Sequence, residues 1–152
     1  NKNDTQKSVS DVQNLTKEIE YITSNKNGDI YKILAKFGKT SLENSDTLDL
    51  ERVNGAITSI ERSDIFITSD YAKYNYTTQN SKFYDNVIIK YENKIITCDN
   101  FDLNISEDIA VAYSNVIVKD DVSIMRAQKI TIDIITKDIF INSNRKVKII
   151  KN

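Results

Sequence analysis

Apolar and polar residues alternate with a period of two along most of this chain, and once in each stretch the alternation skips a beat. Ile67 and Ser69 are followed by Ala72, Tyr74 and Tyr76; Ile96 and Cys98 by Phe101, Leu103 and Ile105; Met125 and Ala127 by Ile130, Ile132 and Ile134. A period of two marks a strand, and a three-residue step resets the inward parity, as a bulge or corner does. The three stretches start 29 residues apart, at 67, 96 and 125, and Asn86-Val87, Asn115-Val116 and Asn144-Arg145 keep the same spacing. A weaker copy (Ile33, Ala35, Gly38, Thr40, Leu42) precedes them at an offset of 34, where Val53 also matches Val87, so its loop should be five residues longer. Constant spacing implies one supersecondary unit stacked on neighbours that cover its apolar face.

From residue 30 onward Ile, Val, Tyr, Phe and Thr dominate, with polar breaks at 43–46, 78–80, 92–94, 107–108, 120–121 and 143–144. This spacing predicts an all-β fold: a twisted β-jelly roll, or open two-sheet array, of 29-residue units with an edge strand at each end. Residues 1–15 read as a flexible N-terminal segment and 16–152 as the β domain. Val9, Val12, Leu15, Ile19 and Ile22 fall near helical spacing, whereas 18–24 also reads as a strand, and both readings stand open. Asn27-Gly28, between two apolar runs, predicts a tight hairpin.

Composition narrows the chemistry. The 152 residues carry 21 basic and 22 acidic side chains, a balance that argues against a nucleic-acid binder. Histidine is absent, which removes Ser-His-Asp and Cys-His catalysis and most zinc sites. No phosphate-binding glycine loop or calcium-loop spacing occurs, so no cofactor and no metal is expected. The acidic pairs Asp46/Asp49, Glu107/Asp108 and Asp120/Asp121 could in principle serve glycoside hydrolysis, but they sit at loops and strand ends and read as solvated turn residues. The chain is therefore read as a non-enzyme. Cys98 occupies the repeat position of Ser69 and Ala127, so it reads as a small inward residue. Asn75-Tyr76-Thr77 and Asn104-Ile105-Ser106 match the glycosylation pattern, yet both fall at one repeat position, and the repeat explains them better. No run of about 18 apolar residues exists to span a membrane as a helix. The basic run from Arg145 to Lys151 reads as an edge strand protected by lysines, as a strand that docks a second β protein or, more weakly, as a phosphate-binding patch.

Several strings together resemble one family. They are Glu20-Tyr21-Ile22-Thr23-Ser24, Asn27-Gly28-Asp29-Ile30-Tyr31, Ile67 through Asn75, Phe83 through Tyr91, and Ile130-Thr131-Ile132-Asp133 with Thr136-Lys137. In order and spacing, from about residue 19 to 150, the chain resembles the LptC family of lipopolysaccharide-export bridge proteins. Its glycines are few and its last strand is unusually basic for that pattern. The resemblance implies an OstA-like β-jelly roll on the periplasmic face of the inner membrane, held by an N-terminal helix preceding Asn1. It implies lipopolysaccharide as ligand. An inner-membrane ABC transporter would be the partner at the N-terminal edge, and a like-folded periplasmic bridge protein at the C-terminal edge.

On that reading the inward repeat positions Tyr74, Val87, Ile89, Phe101, Leu103, Val116, Val118, Ile130 and Ile132 line a groove for acyl chains, each of them equally open to ordinary core packing. Ile19, Ile22, Ile30 and Ile33 would serve the transporter-facing edge, and Arg145, Val147 and Ile149 the bridge-facing edge. The alternatives are a soluble periplasmic bridge component of the same pathway, and a β-repeat interaction module with a filled core.

Overall fold

β-Branched and aromatic residues at every second position build ten strands in a computed structural model that describes residues 16–142 and 149–151. They are β1 (Thr16–Ser24), β2 (Ile30–Thr40), β3 (Thr47–Thr58), β4 (Ile65–Asn75) and β5 (Ser81–Tyr91). β6 (Lys94–Asn104), β7 (Ile109–Lys119), β8 (Ser123–Asp133), β9 (Ile139–Asn142) and β10 (Ile149–Lys151) follow. Each strand through β8 pairs antiparallel with the next. β9 and β10 then share the far side of β8, β9 pairing 129–132 and β10 pairing 123–125. The all-β reading holds, as one continuous open sheet rather than two separate ones.

The skipped beat explains how one sheet makes two layers. From β4 to β8 the ladder slips between Thr68/Tyr71, Tyr84/Val87, Thr97/Asn100 and Tyr113/Val116. In β1 to β3 the same line passes Glu18, Lys36 and Arg52, which drop out of an otherwise constant register. The sheet folds along this line. Glu18, Arg52, Asp85, Asn86, Ser114 and Asn115 adopt left-handed φ there, all on odd-numbered strands. Asx side chains tolerate that conformation best, and they also tie the corner down. Asn86 Nδ2 donates to Asp70 Oδ2 at 2.6 Å, and one repeat later Asn115 Nδ2 donates to Asp99 Oδ2 at 2.6 Å.

The two halves of the folded sheet meet across an apolar interior. Tyr21 and Tyr74, from opposite sides of the fold line, stack with ring centroids 4.8 Å apart. Phe83 reaches across to β3 at Gly55, where a Cβ would stand 3.1 Å from its Cζ, so glycine lets the ring pack closely and a larger residue would press on it. Phe83 in turn lies tilted against Phe101 at 6.1 Å.

The turns repeat as faithfully as the strands. Asn75 Oδ1 accepts from the Thr77 and Thr78 amides, Asn104 Oδ1 from Ser106 Oγ and the Glu107 amide, and Asp133 Oδ1 from the Ile135 and Thr136 amides. Gln79, Asp108 and Lys137, also 29 apart, close these turns with left-handed φ of 65°, 55° and 66°. The two glycosylation-like sites are thus turn-forming asparagines.

Three local expectations change. The Asn27-Gly28 hairpin is not a two-residue turn: around Lys26, Asn27 and Gly28 the Asn25 amide donates to Asp29 O, the Gly28 amide to Asn25 O and the Asp29 amide to Asn25 Oδ1, with Gly28 at φ 87°. That is the three-residue loop whose last position requires glycine. Tyr76, expected inward, is half exposed, because β4 has ended and its hydroxyl donates to Ser45 O at 2.7 Å. In the weaker first copy Ile33, Ala35, Gly38 and Val53 are buried, but Thr40 and Leu42 are exposed, since β2 stops at Thr40. The longer first unit places its extra residues mainly in the β3–β4 connection, 59–64, where the β5–β6 turn is only 92–93. Residues 18–24 take the strand reading; the rest of the alternative helix and the segment 1–15 lie outside the described residues.

Candidate lipid-binding interior

All nine inward candidates share one face and one interior. Tyr74, Val87, Ile89, Phe101, Leu103, Val116, Val118, Ile130 and Ile132 are all buried. The register explains it: Ile89 opposes Ile96, which opposes Val118, and on the other half Leu103 opposes Ala110, which opposes Ile132. Paired positions point to the same side of a sheet, so correct parity in one strand fixes it in all. Ile67, which the spacing placed inward but left out of the groove candidates, is equally buried, and so is Phe83, which the spacing missed.

These side chains fill the space between the halves. The void at the seam of β1–β2 against β4–β6, walled by Tyr21, Tyr31, Tyr74 and Leu103, measures about 10 Å³. That holds one water at most, so an acyl chain can enter only if the halves part. No ladder joins the halves at this seam, because β1 pairs only with β2 and the sheet does not close on itself among the described residues.

Polar side chains clasp this seam at one end. The β1–β2 loop supplies Asn25 and Asp29, the β6–β7 turn Asp108, and the β8–β9 turn Lys137. Lys137 is only 4 % exposed; its Nζ donates to the Ile134 carbonyl and lies 3.8 Å from Asp29 Oδ2. Asn25 Nδ2 bridges Asp29 Oδ2 and the Tyr31 hydroxyl, both at 3.2 Å, and Asp108 Oδ1 at 3.4 Å. Burial raises the pKa of Tyr31, with the neighbouring Asp108 and Asp29 adding to it, so the hydroxyl stays protonated.

Cys98 lies in the interior beside the fold line, its thiol donating to Asn100 O at 3.2 Å. Burial pushes the thiol up to about 12. An unfolded thiol releases its proton near pH 9, so the folded state gains from the retained proton only below that value. The contribution drains away as pH rises from 9 towards 12. Cys98→Ser should therefore lose less stability than the native chain between pH 8 and pH 10.5, as read from urea midpoints.

The edge candidates fall on different strands. Ile19 and Ile22 belong to the edge strand β1, with Ile22 exposed and Ile19 half-buried toward the interior. Ile30 and Ile33 lie on β2, one strand in from that edge, and Ile33 is buried. Ile149 belongs to β10, paired with Met125, while Arg145 and Val147 lie outside the described residues.

Comparison with known proteins gives this geometry a setting. The crystal structure of LptH, the LptA-homologous periplasmic component of the lipopolysaccharide transport device of Pseudomonas aeruginosa, is similar with a TM-score of 0.56 at 9 % identity. The match covers 79 % of this chain and 93 % of that one, and it establishes a shared fold. No curated protein matches the sequence. Residues 1–150 match the family described as Lipopolysaccharide-assembly, LptC-related. The chain belongs to this family, and its work lies in lipopolysaccharide transport.

Proposed function

We propose that the folded sheet carries the acyl chains of lipopolysaccharide between its two halves, receiving them at the β1 side and passing them on at the β8–β10 side. The observation that carries this reading is the continuous apolar interior of a sheet that, among the described residues, remains open at both edges. Burying one methylene is worth about 0.8 kcal/mol, so exposing a 12-carbon chain to water costs roughly 10 kcal/mol. A multi-chain lipid therefore needs a covered route. An interior continued edge to edge into a like-folded neighbour supplies one, since the edge of a sheet is where a further strand can add. The inner-membrane ABC transporter is the proposed donor at β1, a periplasmic bridge protein the acceptor at the C-terminal edge, and an N-terminal helix the proposed anchor. The chain contains no recognisable nucleotide-hydrolysis motif, so the energy enters from the transporter.

The tightly filled interior supports a second reading, a β-repeat interaction module whose core never opens. Photo-crosslinking to lipopolysaccharide separates the two. A probe replacing Ile132 should crosslink, while one replacing the outward, exposed Lys39 should not. A folded protein that fails to crosslink at Ile132, Phe101 and Val116 is an interaction module and not a lipid carrier.

A further inference from the structure

The outer surface of the sheet sorts its charges, and one patch carries only positive ones. Phe66, Lys90, Ile95 and Lys119 oppose one another in a straight row across β4 to β7. The adjoining outward row runs Thr68, Ile88, Thr97, Ile117 and Arg126 across β4 to β8. Neither row contains an acid. Phe66 is 52 % exposed and Ile88 and Ile95 each 38 %, and Lys90, Lys119 and Arg126 are all exposed. The corresponding row on the other half mixes signs: Asp49, Lys73, Lys82 and Asp102 stand in sequence, with Lys73 Nζ 2.8 Å from Asp49. In a chain of net charge −1, three cations without an acid among them make a local feature that composition does not supply.

We infer that this patch rests on the surface of an anionic lipid bilayer. Sheet twist, roughly 20° per strand, limits flat contact to a few neighbouring strands, and β4 to β7 span about 14 Å. That is the width over which Phe66, Ile88 and Ile95 alternate with the two lysines. Lysine and arginine stems lie along apolar neighbours and extend their charges to the phosphate plane, while the apolar tips settle at the headgroup boundary. Arg126 at the edge of the patch also lines an open depression with Tyr113, Asn115 and Gln128, while the row from Phe66 to Lys119 across β4 to β7 is exposed, and a fluid layer of phosphates can adjust to three cations at fixed positions. Acids frame the patch on both sides, Asp70, Asp85 and Asp99 at the fold line and Asp64, Glu92, Asp120 and Asp121 at the turns, so only an approach face-on brings the cations within a screening length of about 8 Å ahead of them. This docking leaves the interior and both edge strands free, and it does not depend on acyl chains entering the roll.

Co-sedimentation of the full chain with vesicles free of lipopolysaccharide tests it. Vesicles of phosphatidylcholine with one-third phosphatidylglycerol should bind the chain, pure phosphatidylcholine vesicles should not, and added salt should weaken the binding. The combined variant Lys90→Gln, Lys119→Gln, Arg126→Gln should lose roughly a hundredfold in partitioning. Phe66→Ser should weaken binding without altering its salt dependence. Lys39→Gln with Lys129→Gln, outward on the other half, should leave it unchanged. All these positions are outward, and an unaltered far-UV circular dichroism spectrum confirms the fold. Absence of binding to the anionic vesicles, or equal losses from the two sets of charge variants, overturns the proposal. Crosslinking at Ile132 is read separately, so failure here leaves the carrier reading standing, and the reverse holds too.

Discussion

Phe101→Ala should lower the stability of the chain by about 3–5 kcal/mol, the cost of removing a fully buried aromatic ring and leaving its space unfilled. Phe101 sits where the two halves of the sheet press together. It lies against its cross-strand neighbour Phe83, whose ring reaches the other half at Gly55, so truncation removes the support behind that cross-layer contact. The neighbours on its own face, Leu103 and Ala112, are held by the ladder and cannot move in to fill the gap. Urea unfolding followed by circular dichroism gives the number. A loss near 1 kcal/mol would mean that the interior packs loosely at this point, and that parting the halves is easy there. A loss in the expected range means that lipid must compete with a well-made core, and that entry begins elsewhere.

The seam of the β1–β2 hairpin is the better place to begin, and the sequence shows why it was hard to find. Inward parity was readable because it depends only on period and on one skipped residue per strand. A repeat of 29 residues states that skip three times over. The nine inward candidates are buried for that reason. Tyr76 and Leu42 broke the rule because the pattern runs past the strand end, and nothing in alternation marks where a ladder stops. The continuous sheet was invisible for a related reason: a corner within a strand and a change of sheet leave the same mark in sequence. The clasp was illegible altogether. Lys137 holds the repeat position of Gln79 and Asp108, where a left-handed turn residue is all that the pattern demands. Its ion pair with Asp29, more than a hundred residues earlier, exists only because the folded sheet brings the first hairpin over the last turns.

That clasp sets the second large effect. Lys137→Met should destabilise the chain by about 3 kcal/mol, because it strands the largely buried Asp29 carboxylate without its cation. Asn25 still donates to Asp29, which keeps the loss at the lower end of the range for broken buried pairs. Adding Asp29→Asn to Lys137→Met should recover more than half of the loss, since a neutral amide asks far less of its surroundings than a carboxylate. Strict additivity of the two single changes would show that the groups do not interact, and would remove the clasp from the account. Hydrogen exchange locates the effect: in Lys137→Met, amides of β1 and the 25–31 segment should exchange faster, while those of β5 and β6 keep their protection. If β5 and β6 loosen equally, the roll opens as a whole and the hairpin is no separate door. If only the hairpin loosens, the weakest seam of the sheet lies beside Tyr21, Tyr31 and Tyr74, at the mouth of the apolar interior. Lipid would then displace a few polar contacts at the rim before it has to part the packed phenylalanines behind them.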